Sequence, residues 1–340
     1  MTPRRSAAAS PFADIRLAVV GCGAVTTGLH LPALAMAGMT PAVLVDPDVD
    51  RARALAAEYG VAQVVADPAE CGRYADAAIV AVPITYHADV ARGLLADGVD
   101  VMVEKPLART REECDSIIDV AREHGRVLGV NLMRRFLSAN RWLHDMLRTG
   151  ALGEVRSVDI SEGYAFDWPV TSFGFFSRDN GGVLKDLGSH TLDLVHWHFG
   201  TIEVLSYRDN AYGGVETDCL LEFTTARGVP GILELSRGRS TRNTFVVTGE
   251  HATVEMQHFG EFIRVSPSPG GHVPAPLKRT PRGDQLLIDL FVESHADWLG
   301  AVHDRRAPFV DPTDAAAIVD VHERCRTTAQ RWIMPWVETP

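Results

Sequence analysis

Lysine is scarce in this chain: only three of its 33 basic residues are lysines, Lys105, Lys185 and Lys278. Arginine carries positive charge elsewhere, so each lysine is a candidate for a role that a guanidinium would not fill. Cysteine is also low, and Cys22, Cys71, Cys114, Cys219 and Cys325 are odd in number, scattered, and never in a C-x-x-C pair. That excludes a zinc ribbon or a dithiol redox centre and fits reduced thiols in a cytoplasm. Long apolar runs are missing: residues 17–25 are interrupted by Gly21 and Gly23, far short of a membrane span. At the start, Pro11, Asp14 and Arg16 break the Ala-rich stretch before a secretory signal can form. No basic run stands out, and 44 acidic against 33 basic side chains give a formal net charge of −11, which argues against a nucleic-acid partner. No internal repeat is present.

What the 340 residues do hold, at 46% hydrophobic, is material for two ordinary globular domains. Short β-rich runs at 17–20, 43–45, 78–82, 101–103 and 127–130 alternate with amphipathic stretches at 50–59, 87–97 and 110–124. Each of those stretches is closed by a glycine placed as a helix C-terminal cap. Strands alternating with helices predict a parallel, doubly wound α/β sheet. After about residue 133 the pattern changes to alternating polar and apolar residues, as in 155–160, 219–223 and 245–247, which reads as antiparallel strands with one wet face. Helices are expected at 182–198, 286–303 and 313–331, with Asp311-Pro312 as cap and first turn of the last, and a loop at 267–281. The expected domains are 12–132, a dinucleotide-binding Rossmann domain, and 133–340, an α+β domain with a large, mostly antiparallel open sheet.

Gly21-Cys22-Gly23 follows the first strand and opens a helix, where glycines let backbone N–H groups approach a pyrophosphate beside the helix N-terminus. Thr26 stands in place of the third glycine of G-x-G-x-x-G. Asp46, 23 residues beyond Gly23 at the end of the second strand, is placed to accept hydrogen bonds from adenosine ribose hydroxyls, and equally to make a turn in Asp46-Pro47-Asp48. Together these predict a nicotinamide dinucleotide site, with NAD preferred because Asp46 opposes a 2′-phosphate; Arg51 is the nearest group to accept one. Cys22 reads as a small filler.

Four elements carry a resemblance to a known family: the Gly21 turn with His30-Leu31-Pro32-Ala33-Leu34; Val103-Glu104-Lys105-Pro106-Leu107; Asn131 with Arg135-Phe136; and the Gly-Gly-x-x-x-Asp-x-x-x-His-x-x-Asp element formed by Gly181, Gly182, Asp186, His190 and Asp193. Over about residues 15–335 the chain resembles the glucose-fructose oxidoreductase, inositol dehydrogenase and rhizopine catabolism (Gfo/Idh/MocA) family. The resemblance implies a catalytic group of Lys105, Asp186 and His190. It implies cofactor contacts at Gly21, Cys22, Gly23, Ala24, Val25, Asp46, Val82, Pro83, His87, Glu104 and Lys105. Lys105, Asp186 and His190 are then also expected to touch the substrate, with Arg135, Tyr164 and Trp168 as candidates to line its site, and the resemblance implies a homodimer or homotetramer packed through the second-domain sheet.

Oxidation of a secondary alcohol removes a hydride from carbon and a proton from oxygen. An imidazole, with an unperturbed pKa of about 6.5, suits the proton step, and a lysine ammonium stabilises the developing negative charge. Asp186, four residues before His190, either orients the imidazole or binds a second hydroxyl. The expected reaction is oxidation of a ring hydroxyl of a sugar, cyclitol or aminoglycoside-type pseudosaccharide, in antibiotic biosynthesis; the acidic charge favours a cationic substrate. Alternatives are a ketoreductase on a nucleotide-linked keto sugar, a non-catalytic dinucleotide sensor, and an NAD-dependent glycosidase. No metal is expected, because the Asp186, His190, Asp193, His196 and His198 side chains cannot all converge from one helix. Tyr86 and Phe166 are further candidates to line the substrate site.

Overall fold

The computed structural model describes residues 11–167, 177, 181–212, 214–259, 262–281 and 285–333, which fall into two compact units. The first holds the described residues up to Met133 and returns for Leu287–Ala316; the second holds the described residues from Arg134 to Leu286 and those after Ala316.

In the first unit the β-rich runs become β1 (Leu17–Val20), β2 (Val43–Val45), β3 (Gln63–Val65), β4 (Ala77–Val80), β5 (Asp100–Val103) and β6 (Leu128–Val130). Helices α1 (Leu31–Met36), α2 (Val49–Tyr59), α3 (His87–Ala96) and α4 (Arg111–Glu123) connect them. The strands form one parallel sheet in the order β3-β2-β1-β4-β5-β6, the doubly wound arrangement whose ligand crevice lies at the carboxyl ends where the order reverses, at β1 and β4. Every residue of β1, β4 and β5 is buried, as strands covered on both faces require. The edge strand β3 escapes the sequence pattern because it is three residues long and exposes Gln63.

The second unit begins with α5 (Ser138–Arg148) and β7 (Val155–Gly163) and continues through α6 (Ser189–Phe199). Strands β8 (Ile202–Asp209), β9 (Asp218–Thr225), β10 (Pro230–Ser236), β11 (Thr244–Gly249), β12 (Ala252–Gln257) and β13 (Ile263–Pro267) follow. The sheet is mixed: β10 pairs parallel with β7, and the other pairs among these strands are antiparallel. Alternation gives it one apolar face; in β12, Ala252, Val254 and Met256 are buried and the residues between them are not.

The C-terminal part does not stay in one domain. Helix α7 (Leu287–Asp304) belongs to the first unit, where the Trp298 indole occupies the space that a Cβ on Gly129 of β6 would fill, at 2.6 Å, and Arg305 Nη1 donates to Asp100 Oδ2 at 2.7 Å. This divides the expected 133–340 segment. Helix α8 (Pro312–Thr327) is capped by Asp311, whose Oδ1 accepts from Thr313 N–H at 2.8 Å. It ends sooner than its expected limit, and β14 (Gln330–Arg331) joins the sheet beside β8. No helix among the described residues is long and apolar enough to cross a membrane.

Among the described residues, two π-helical turns interrupt regular geometry, at Thr26–His30 before α1 and at Leu184–Gly188 before α6. Such turns gather at functional sites, and each falls on a segment singled out by its motif.

Candidate functional site

In the first unit, Gly21 N–H donates to Val45 O at 2.8 Å, and the residue takes φ 95°. A side chain is doubly excluded there, because that φ disfavours an L residue and a Cβ would sit 2.5 Å from the Ala81 carbonyl oxygen. Thr26, at the position of the motif's third glycine, closes the turn instead: its Oγ1 donates to Gly21 O at 2.6 Å. Gly23, Ala24 and Val25 lie half-buried between them.

Asp46 ends β2 and is almost fully buried. Its Oδ2 accepts from Cys22 N–H at 2.7 Å; its Oδ1 accepts from Asp48 N–H at 2.8 Å and Arg51 Nη2 at 2.7 Å. The Asp48 bond is the turn that the local sequence allows, and the Cys22 bond ties the acid to the glycine turn. Burial, and then the neighbouring Asp46 carboxylate, push the Cys22 thiol up to about 12, so it remains a neutral filler.

After β5, Lys105 N–H donates to the Oε2 of Glu104 at 3.0 Å. Glu104 Oε1 accepts from Asn131 Nδ2 at 2.6 Å and lies 3.0 Å from His30 Nε2. Burial works against the Glu104 charge, but His30, Asn131 and Lys105 outweigh it and hold its carboxyl below the usual range. His87 is buried between main-chain oxygens: Nδ1 is 3.0 Å from Pro106 O and Nε2 is 2.9 Å from Val82 O. Burial lowers its pKa, against the pull of those carbonyls and of Glu104. The Glu104 and His87 side chains, expected to meet the cofactor, are therefore directed into the fold. Pro83 and Tyr86 of the same strand-end loop are exposed.

In the second unit, residues 181–199 carry the Gly-Gly, Asp and His element. Glu216 caps its start: Leu184 N–H donates to Glu216 Oε1 at 3.2 Å and Val183 N–H to Glu216 O at 3.1 Å, while burial raises the Glu216 pKa. Asp186 lies in the π turn, so the simple α-helical spacing expected between it and His190 does not apply. Asp186 pairs with Arg237 at the end of β10, and the guanidinium stands 4.8 Å from the Tyr164 ring centroid and 5.5 Å from that of Phe166. His190 and Lys185 are both buried.

Two buried ion pairs fix this helix. Arg134 donates to both oxygens of Glu162 on β7, at 2.8 and 2.7 Å, and Thr191 Oγ1 donates to Glu162 Oε2 at 2.9 Å. Despite burial, Arg134, His258 and Thr191 bring the Glu162 carboxyl down to about 2. Arg135 binds Asp193 through Nε, at 3.1 and 3.0 Å, and through Nη2, at 2.5 Å. At 1% exposure Arg135 is a brace for the helix, which corrects its expected role as a substrate ligand. Asp193 is occupied by the same bond, and no cluster of three or more His, Cys, Asp or Glu side chains suited to a metal occurs among the described residues. Trp168 lies outside the described residues.

Sequence reasoning missed Arg237, Arg134 with Glu162, and Glu216. None of them carries a local mark in the sequence, since arginine is the ordinary cation of this lysine-poor chain.

Known proteins give a consistent comparison. The model of the oxidoreductase family with an NAD-binding Rossmann fold matches residues 15–132, and the GFO/IDH/MocA C-terminal domain model matches residues 140–255. A dTDP-3,4-didehydro-2,6-dideoxy-alpha-D-glucose 3-reductase from Actinomadura kijaniata is 28% identical over 94% of this chain and 97% of its own length. A reductase of the same description from Streptomyces violaceoruber is 31% identical, but the match spans only 55% of each chain. A myo-inositol dehydrogenase from Streptomyces leeuwenhoekii is 33% identical over 57% of this chain and 59% of its own. Among solved structures, a 3-ketoreductase from Actinomadura kijaniata in complex with NADP and TDP-benzene has a TM-score of 0.79 at 24% identity, covering 94% of this chain and 99% of that one. Two models of one family, matching consecutive parts of a chain with this sheet order and these motifs, settle its membership: the chain belongs to the GFO/IDH/MocA oxidoreductase family, with an NAD-binding Rossmann domain at its N-terminal side.

Proposed function

We propose that the chain is an NAD-dependent dehydrogenase that oxidises a secondary ring hydroxyl of a sugar, cyclitol or aminoglycoside-type substrate to the ketone. The observation that carries the reading is the joint presence of a side-chain-free Gly21 turn tied to Asp46 and of a braced helix bearing Asp186 and His190. The tight turn, in which a Cβ at Gly21 would collide with Ala81, and the acid at the end of β2 support a dinucleotide site, since such folds bind the pyrophosphate beside a glycine turn and the ribose hydroxyls at an acid after the second strand. When bound, NAD supplies the acceptor for the hydride.

The chain's own residues do the rest. His190 takes the hydroxyl proton as the C–H hydride leaves and the C=O bond forms. The Lys105 ammonium stabilises negative charge on that oxygen. Asp186, paired with Arg237, binds a second hydroxyl or orients the imidazole. A ketoreductase on a nucleotide-linked sugar is the second reading, favoured by the Actinomadura relative that matches nearly end to end. The net charge of −11 is compatible with the amino-sugar form of the first reading, because it attracts a cationic substrate.

The test is NADH formation on a panel of inositols, glucosides, amino cyclitols and aminoglycosides, with NADH consumption on TDP-keto sugars as the counter-assay. Net NADH with a ring polyol supports the proposal. Consumption confined to the TDP-keto sugars overturns its direction, and hydrolysis without net NADH identifies a glycosidase.

Two further outcomes are expected. Catalytic efficiency with NAD should exceed that with NADP, because the 2′-phosphate would face Asp46; equal efficiency would mean that Arg51 leaves Asp46 and takes the phosphate. Gly21→Ala should weaken NADH binding and cost about 1–3 kcal/mol of stability through strain at its φ, read by fluorescence titration and urea melts. Unchanged binding would remove the turn from the cofactor site.

A further inference from the structure

The main chain that carries Lys105 is gripped from two sides by buried side chains. On one side, Lys105 N–H is bonded to Glu104 Oε2 at 3.0 Å. Glu104 is itself held, by Asn131 at 2.6 Å and His30 at 3.0 Å, and these rest on a further layer from α7. Ser294 Oγ donates to Asn131 Oδ1 at 2.9 Å, and His295 Nε2 lies 2.9 Å from His30 Nδ1. On the other side, the carbonyl of Pro106 lies 3.0 Å from His87 Nδ1, and the opposite nitrogen of that ring reaches Val82 O at 2.9 Å. One imidazole thus lies between the loop after β4 and the loop after β5; in the neutral form that burial favours it has a single N–H, which on Nδ1 donates to Pro106 O.

We infer that His87 and Glu104, the latter backed by His30 and Asn131, are positioning residues: they fix the Lys105-Pro106 main chain and thereby place the Lys105 ammonium for the reaction. The inference rests on the reading of Lys105 as catalytic. Neither side chain faces outward, with 2% and 8% of their surfaces exposed, so a ligand role would require both to abandon their present partners. Lysine ends in a long, freely rotating stem, and its reach is defined only if its backbone is. A displacement of about 1 Å in a reacting group can cost about 10²-fold in rate.

The ring geometry supplies a selective probe. An asparagine amide nitrogen replaces Nδ1 and can keep the Pro106 bond, whereas a glutamine amide nitrogen replaces Nε2 and keeps only the link to Val82. Glu104→Gln places an amide against the donors of Asn131 and His30. The paired change Glu104→Gln with Asn131→Asp restores a donor facing an acceptor.

The experiment measures kcat, KM, NADH dissociation constant and Tm for His87→Gln, His87→Asn, Glu104→Gln and Glu104→Gln/Asn131→Asp. The first and third changes are also made in a Lys105→Ala background, with its residual turnover followed over long incubations. His87→Gln and Glu104→Gln should lower kcat by about 10- to 100-fold with little change in NADH affinity. His87→Asn should recover most of what His87→Gln loses, and the Glu104/Asn131 exchange should recover part of the loss in Glu104→Gln. In the Lys105→Ala background both changes should cost nothing more, as expected for groups that act through one residue. Additive losses in that background, or a weakened NADH affinity at unchanged kcat, would overturn the inference. If Glu104→Gln does not fold, the His87 pair decides alone. Retention of more than half the turnover by Lys105→Ala would instead defeat the reading of Lys105, whatever the brace variants do.

Discussion

His190→Ala is expected to lower turnover by about 10² to 10⁴-fold while leaving NADH affinity close to that of the parent chain. The substitution removes the proposed proton acceptor, whereas the Gly21 turn and Asp46 belong to the other compact unit and are untouched. Lys105→Ala should be at least as damaging, because charge stabilisation is lost; Lys105→Arg keeps the charge but replaces a compact ammonium with a larger planar head. Oxidation in the parent should rise with pH as the base loses its proton, and this limb should vanish in His190→Ala. If His190→Ala keeps more than half of the turnover with the limb intact, another group is the base, and Lys105 itself and exposed Tyr86 on the strand-end loop are the next to test.

The largest stability effect should come from the helix braces. Asp193→Ala is expected to cost about 3–5 kcal/mol, because it takes from the buried Arg135 guanidinium the carboxylate that it binds through Nε and Nη2. Replacing both partners together, Arg135→Met with Asp193→Leu, should cost much less, since neither charge then remains. Urea melts of these variants measure this, and a single-variant cost below about 1 kcal/mol would show that water reaches the pair. The neighbouring Arg134–Glu162 pair adds an acid dependence. Its folded carboxyl titrates at about 2, below the ordinary 4.5, so its contribution is complete above the ordinary value and is lost as the pH falls toward 2.

The parallel sheet was readable because its central strands are continuous apolar runs and its helices are closed by glycines. Strand β3 was not, being short and half-exposed at an edge, and α5 is hidden by the changed texture after residue 133. The π turns have no residue signature, yet one of them sets the relation of Asp186 to His190. Site residues were legible as types and less so as roles. Arg135 is conspicuous in the sequence as a cation, and only the fold brings Asp193, 58 residues away, against it. Arg237 reaches Asp186 across 51 residues, a pairing that no spacing in the chain announces. His30 lies inside a recognisable motif, but its contact with Glu104 depends on the sheet that brings the two together, and its contact with His295 on the return of α7 to the first unit.

The most direct measurement follows the hydride itself: a polyol that supports turnover is deuterated at the reacting carbon, incubated with the protein and NAD, and the reduced dinucleotide is weighed by mass spectrometry. NADH should accumulate in step with ketone and carry the deuterium. Substrate conversion with no net NADH, or NADH that lacks the label, would contradict the dehydrogenase reading.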